Sequence, residues 1–345
     1  MARSVTQNAG DHGEHYITRD KKEYWAMFYS AAGGGVLIAL MALFKTYLGS
    51  IIDDKVWKGI AEGLNYGLGF MVIFMLHFTV ATKQPAMTAA RFAEAVEKTP
   101  QGKTVNMKLA QLLVDVFRSQ SIAVLGNVLI AMGLAALIAF GYQYKTGEPL
   151  MNADQIAYQL HSIDPFAGTL WFAAIAGVWL FCSGIISGYF DNRSNYLNMR
   201  MRLTQHPLLK KLMSEKTRVK FANYMHENYG SLIGNLCFGM LLGITGVVGY
   251  LTHLPLDIRH VAFSSANVGY IAVSGHFTYS LLLQCIAFVL LIGLVNLIVS
   301  FSLTLWVALR SLNAEIDSWW LIWHEVCQIV KKRPLSLFLP VQLDK

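Results

Sequence analysis

Charged side chains are what this sequence has least of. Only 14% of its 345 residues are Asp, Glu, Lys or Arg, against roughly 25% in a soluble domain. That shortage excludes a chain whose whole surface faces water. Cysteines number four: Cys182, Cys237, Cys285 and Cys327. No two have metal-ligand spacing, so neither a metal site nor a disulfide is expected. There is no Walker loop, no dinucleotide fingerprint, no His-Glu-x-x-His and no Gly-x-Ser-x-Gly elbow. None of the ten histidines is followed three residues later by Arg. The first 23 residues are polar and lack the short apolar core of a secretory signal.

Apolar residues are abundant instead, at 54% of the chain, with a mean hydropathy of +0.43. They gather into six stretches, at about 24–47, 60–82, 119–142, 169–190, 232–254 and 280–309. Each supplies the roughly 20 residues that carry a helix across the hydrocarbon core. Backbone groups must be paired there, so the stretches are expected to be helices. The basic residues are one-sided. Arg3, Arg19, Lys21 and Lys22 precede the first stretch. Lys83, Arg91, Lys98, Lys103, Lys108 and Arg118 lie between the second and third. Arg193, Arg200, Arg202, Lys210, Lys211, Lys216, Arg218 and Lys220 lie between the fourth and fifth. Arg310, Lys331, Lys332, Arg333 and Lys345 close the chain. Of the 28 basic residues, only Lys45, Lys55, Lys58, Lys145 and Arg259 remain for the other side. Cytoplasmic loops retain Lys and Arg, so both termini are expected in the cytoplasm. The fold class expected is all-α: a polytopic membrane protein with a cytoplasmic segment 1–23, a six-helix domain 24–309 and an interfacial tail 310–345.

A repeat is expected within it. Leu125-Gly126-Asn127 through Gly141-Tyr142 aligns without a gap on Ile233-Gly234-Asn235 through Gly249-Tyr250, and Gly34-Gly35-Val36 fits more loosely. Spans one, three and five then read as copies of one helix, giving three pseudo-repeated hairpins in parallel orientation. Val105, Leu109, Leu112, Leu113, Val116 and Phe117 share a helical face, which predicts an amphipathic helix on the cytoplasmic surface before span three. Arg200 to Met225 repeats the pattern. So does the tail, with Trp319, Trp320 and Trp323 near Lys331 and Lys332. A helix break is expected at Pro85.

Polar residues in this setting are the ligand-binding candidates. Asn127 and Asn235 sit behind glycines in two apolar stretches; each must face another helix, as a polar lining or as a helix-to-helix bond. His77 lies near the inner end of span two, where it serves as interface anchor or path residue. Lys83 follows it. Asp191 and Arg193 form an ion pair, a phosphate hold or a simple turn. On the opposite side Asp257, Arg259, His260 and Asn267 form one dense polar loop, read as loop packing, ligand binding or, least of all, Asp–His–Ser catalysis. No catalytic residue and no cofactor is assigned.

Several phrases together carry a family resemblance: Gly13-Glu14-His15-Tyr16-Ile17, Leu76-His77-Phe78-Thr79-Val80-Ala81-Thr82-Lys83-Gln84-Pro85-Ala86-Met87-Thr88, Gly188 to Tyr196, and Leu254-Pro255-Leu256-Asp257-Ile258-Arg259-His260 through Asn267. They resemble Gram-negative bacterial proteins described as site-specific recombinases of the gonococcal Gcr type. The resemblance runs from about Gly13 to the tail and implies the bacterial inner membrane. Relatives of that type carry a soluble region before the membrane part, so this chain looks like the membrane part or a short form. Three functions stand open: membrane transport or lipid and envelope handling; a non-catalytic scaffold that binds lipid or a partner protein; and DNA recombination, as the resemblance implies. The partners expected are the phospholipid bilayer, with anionic lipid at the cytoplasmic face, and a homo-oligomer or protein partner. Nucleic acid is not expected.

Overall fold

The computed structural model describes residues 16–340 except 82–83, 99–102, 274–276 and 317, and no side chain of 84–86, 98 or 103–105. Among the described residues the regular structure is entirely helical. The α-helices are α1 (Lys21–Ile51), α2 (Lys55–Met75), α3 (Gln84–Lys98), α4 (Lys103–Thr146), α5 (Ala153–Ile163), α6 (Thr169–Tyr196), α7 (Met199–Gln205), α8 (Pro207–Leu212), α9 (Glu215–Thr252), α10 (Val261–Ala272), α11 (Tyr279–Leu312) and α12 (Trp319–Lys332). Short 3-10 turns at Pro165–Ala167 and Pro334–Leu337 follow α5 and α12. Side-chain oxygens start several of these helices. Asp20 accepts the Glu23 amide, Asp54 the Val56 and Trp57 amides, and Thr278 the Leu281 amide, filling donors that a first turn leaves open.

Five helices, α1, α4, α6, α9 and α11, are long and apolar enough to cross a membrane. Their outward faces carry Phe44, Leu129, Leu137, Leu283 and Ile298, all exposed. So much apolar surface on every side is what a lipid solvent requires. Their inward faces, with α2 and α10, make a central core of Ile38, Tyr66, Phe70, Leu180, Phe238, Phe263 and Tyr270. A second core forms at one end, where Phe92, Leu109, Val114, Leu305 and Ile322 bring α3, α4, α11 and α12 together.

Two expectations change in detail. The apolar stretch 60–82 is a helix only up to Met75. Leu76 caps it, His77 turns left-handed at φ 58, and 78–80 run without helix. The helix starts early as well, at Lys55, carries Lys55, Lys58 and Glu62, and is not among the five helices long and apolar enough to cross a membrane. The expected surface helix before span three is not separate: α4 is one helix of 44 residues. Its first turns bury Leu109, Val114 and Val116. Arg118 then pins both chain ends to it, through Asp115 at 2.9 Å and through the carbonyls of Thr18 and Ser336.

Glycine sets how closely α2 and α9 cross. Gly59, Gly63 and Gly67 run along one stripe of α2, antiparallel to Val247, Gly243 and Gly239 of α9. A Cβ on Gly243 would meet the Gly63 backbone, and one on Gly239 would meet Gly67. The two backbones therefore touch directly, which only small residues permit.

Candidate functional site

Two segments between helices enter the bundle, 78–81 after α2 and 254–260 after α9. Unpaired backbone there would cost a few kcal/mol per group. One asparagine from a neighbouring long helix satisfies each. Asn127 of α4 accepts the Ala81 amide at 2.8 Å and donates to the Thr79 carbonyl at 2.9 Å and to the Ala31 carbonyl of α1. Asn296 of α11 accepts the Val261 amide at 3.2 Å and donates to the Arg259 carbonyl at 3.0 Å and to the Ala173 carbonyl of α6 at 2.7 Å. A backbone bond completes each set: Thr79 donates to the Ser30 carbonyl, and Arg259 to the Phe172 carbonyl. Gly33 and Gly34 make room for the first segment, since side chains there would strike Phe78 and the Thr79 carbonyl.

The second segment borders a cavity of about 460 Å³, set between α1, α2, α5 and α10. Lys45 and Glu62 meet across it at 3.4 Å. Arg259 reaches it with a fixed guanidinium. Its Nε donates to the Ser162 carbonyl at 2.8 Å, and its Nη1 donates to Asp257 at 2.6 Å and to the Ile258 carbonyl at 2.8 Å. Phe172 lies 5.3 Å beneath the guanidinium carbon. Its Nη2 has no partner among the described residues. Tyr158, Ser264 and Asn267 add neutral polar groups to the wall. Arg–Asp pairing keeps the site close to neutral overall, while the guanidinium edge offers directed donors to an anion.

An aromatic layer floors this cavity. Tyr66 and Phe263 have ring centroids 4.5 Å apart, and Phe70, Phe238, His260 and Phe263 touch one another at 5.1–6.2 Å. The His260 ring is wholly buried among them. Beyond the layer lies a much smaller cavity, about 40 Å³, lined by Phe70, Phe78, Thr79, Val80, Ser231 and Asn235 among others.

A family model described as site-specific recombinase matches residues 1–340. The chain belongs to that family. No curated protein and no solved structure matches it.

Within this recombinase-family chain the sequence candidates fall into three places. Asp257, Arg259, His260 and Asn267 do come together, at the larger cavity. Asn127 and Asn235, equated by the sequence phrase, differ in their bonds. Asn235 only donates to the Ser231 carbonyl one turn back in α9, and it faces the smaller cavity. In hydrogen bonding the counterpart of Asn127 is Asn296, which the sequence reading passed over; an asparagine amid the apolar run of α11 was its signal. His77 is exposed and contributes its carbonyl, which Ser30 Oγ donates to at 3.0 Å. Asp191 accepts the Gly230 amide at 2.9 Å, and Arg193 is exposed in the last turn of α6. Lys83 lies outside the described residues. Lys45 and Glu62 were also missed as a pair. Charges in two successive apolar stretches were the signal, and only the turn between α1 and α2 brings them together.

Proposed function

We propose that this protein is a membrane transporter whose 460 Å³ cavity takes a small solute bearing a carboxylate or phosphate. What carries the reading is Arg259, a guanidinium held by Ser162 and Asp257 with one edge left to the cavity. Cavities of about 300–1,000 Å³ hold small-molecule ligands. Ionisable side chains placed among apolar helices mark solute paths more often than they serve structure. In this reading the chain crosses the bacterial inner membrane six times, α2 included, with both termini in the cytoplasm and the cavity facing the opposite compartment. A lipid headgroup offers the same phosphate chemistry, so the test includes it.

Detergent-purified protein is heated with inorganic phosphate, succinate or short-chain phosphatidylglycerol, and the unfolding midpoint is followed. A soluble anion at one hundred times its Kd stabilises the folded state by about 2.7 kcal/mol. Arg259→Gln removes that gain, read against the variant's own ligand-free midpoint, which falls because Asp257 and the Ser162 and Ile258 carbonyls lose their donor. Stabilisation by the lipid alone moves the assignment to headgroup handling. No response to any of the three overturns the proposal.

The family's description supports a second reading, strand exchange on DNA by the basic segments between α6 and α9. It requires DNA binding that weakens steeply with salt and strand cleavage lost on changing one Tyr or Ser.

A further inference from the structure

The hydrogen bonds of the two asparagines match partner for partner, and the match extends through the chain. Ser30, Ala31 and Gly35 of α1 stand in sequence as Phe172, Ala173 and Gly177 of α6 do. Gly35 lies against α4 at Asn127 and Ala131, and Gly177 lies against α11 at Asn296 and Val299. Gly59, Gly63 and Thr79 stand to one another as Gly239, Gly243 and Arg259 do. Helices α5 and α12 are each followed by a 3-10 turn that opens on proline, Pro165 and Pro334. The packing partners agree too: α1 with α4 as α6 with α11, and α10 with α4 as α3 with α11. Helix α2 packs on α9, its own counterpart, and Gly63 meets Gly243 at the middle of that contact.

We infer that residues 21–167 and 169–337 are two copies of one unit, related by a two-fold axis at Gly63–Gly243, and that the two cavities are one site seen in its open and closed forms. The lining residues carry this. Ile258, Arg259, His260 and Asn267 border the larger cavity. Their counterparts Phe78, Thr79, Val80 and Met87 border the smaller one. Two related cavities of about 460 and 40 Å³ describe one state of a pair that exchanges. Each unit contributes three long helices in the order α1, α2, α4 and α6, α9, α11. An odd number of crossings places the second unit upside down relative to the first. Inverted repeats with interrupted helices at their interface are the architecture of alternating access. The second state opens the small cavity between Ser231, Asn235 and Thr79, while the cavity at Arg259 shuts. This inverted pairing differs from the parallel hairpin repeat expected from sequence. The inference deepens the transport reading and rests on it for its purpose, though its test does not need a substrate.

The test is a pair of cysteines in a full-length chain whose four native cysteines are replaced by serine. Asn267→Cys reports the larger cavity and Ser231→Cys the smaller. Each variant is reacted with a bulky maleimide in native and in denatured form. Ser231→Cys is expected to react slowly but completely in native protein. Prior modification of Asn267→Cys holds its cavity open and slows the Ser231→Cys reaction at least tenfold. Gln159→Cys, on the far wall of the same cavity, gives the same result if Asn267→Cys folds poorly. Equal Ser231→Cys rates with and without the adduct overturn the inference, as does a Ser231→Cys that reacts only when denatured. Anion stabilisation through Arg259 alongside unlinked rates leaves the binding site standing and removes the exchange.

Discussion

Asn127 and Asn296 each satisfy backbone groups that lipid leaves without alternatives. Interhelical side-chain bonds in membranes contribute only about 0.6 kcal/mol on average. These two hold more, because each removal strands an amide and a carbonyl that no helix bond satisfies, in an apolar interior. Asn127→Ala and Asn296→Ala are each expected to cost about 1–3 kcal/mol, read as a lowered midpoint in detergent. Asn235→Ala should cost under about 1 kcal/mol, since its bond is to its own helix. Equal losses at all three would remove the distinction between bridging and local asparagines. Sequence could nominate Asn127 as polar and buried, but not its partners. The Ala81 amide lies 46 residues away and the Ala31 carbonyl 96. Arg259 was more legible: a lone cation in a charge-poor region beside Asp257 stands out at any range.

Among the elements, α2 and α9 are set by glycine, and their tolerance should follow the available space. A Cβ on Gly243 or Gly239 collides with α2 backbone, whereas one on Gly63 meets Met240 and Gly243 at 3.4–3.5 Å, an ordinary contact. Gly243→Ala is therefore expected to cost about 1–3 kcal/mol by overpacking, and Gly63→Ala far less. Gly133 of α4 has nothing within 4 Å, so Gly133→Ala gains up to about 1 kcal/mol of helix propensity. Thermal midpoints of the three variants check the order. Helix existence was readable from apolar length alone, and so was the all-α class. The end of α2 was not, because neither glycine nor proline stands at Leu76-His77. The nearest breaker, Pro85, pointed eight residues too late. Tertiary bonds from Ser30 and Asn127 decide that boundary, and a left-handed histidine is tolerated as part of it.

For the whole molecule, the one-sided basic residues make orientation measurable. In the six-span reading Asn267 faces away from the cytoplasm, and the stretch Arg193 to Lys220 lies in it. An impermeant thiol reagent added to intact spheroplasts is expected to modify Asn267→Cys and spare Lys211→Cys. Inside-out vesicles reverse the pattern. Modification of both from one side would refute the topology and, with it, the inverted arrangement.

The bare backbone contact of Gly63 with Gly243 has a mechanical consequence. Where two helices meet without side chains between them, they pivot more readily than they part. Separation there would forfeit direct backbone packing between α2 and α9, while a few degrees of tilt forfeits little. In the exchange inferred above, a fulcrum at that contact would make the two helices a see-saw: lever arms that spread at one rim would pinch at the other.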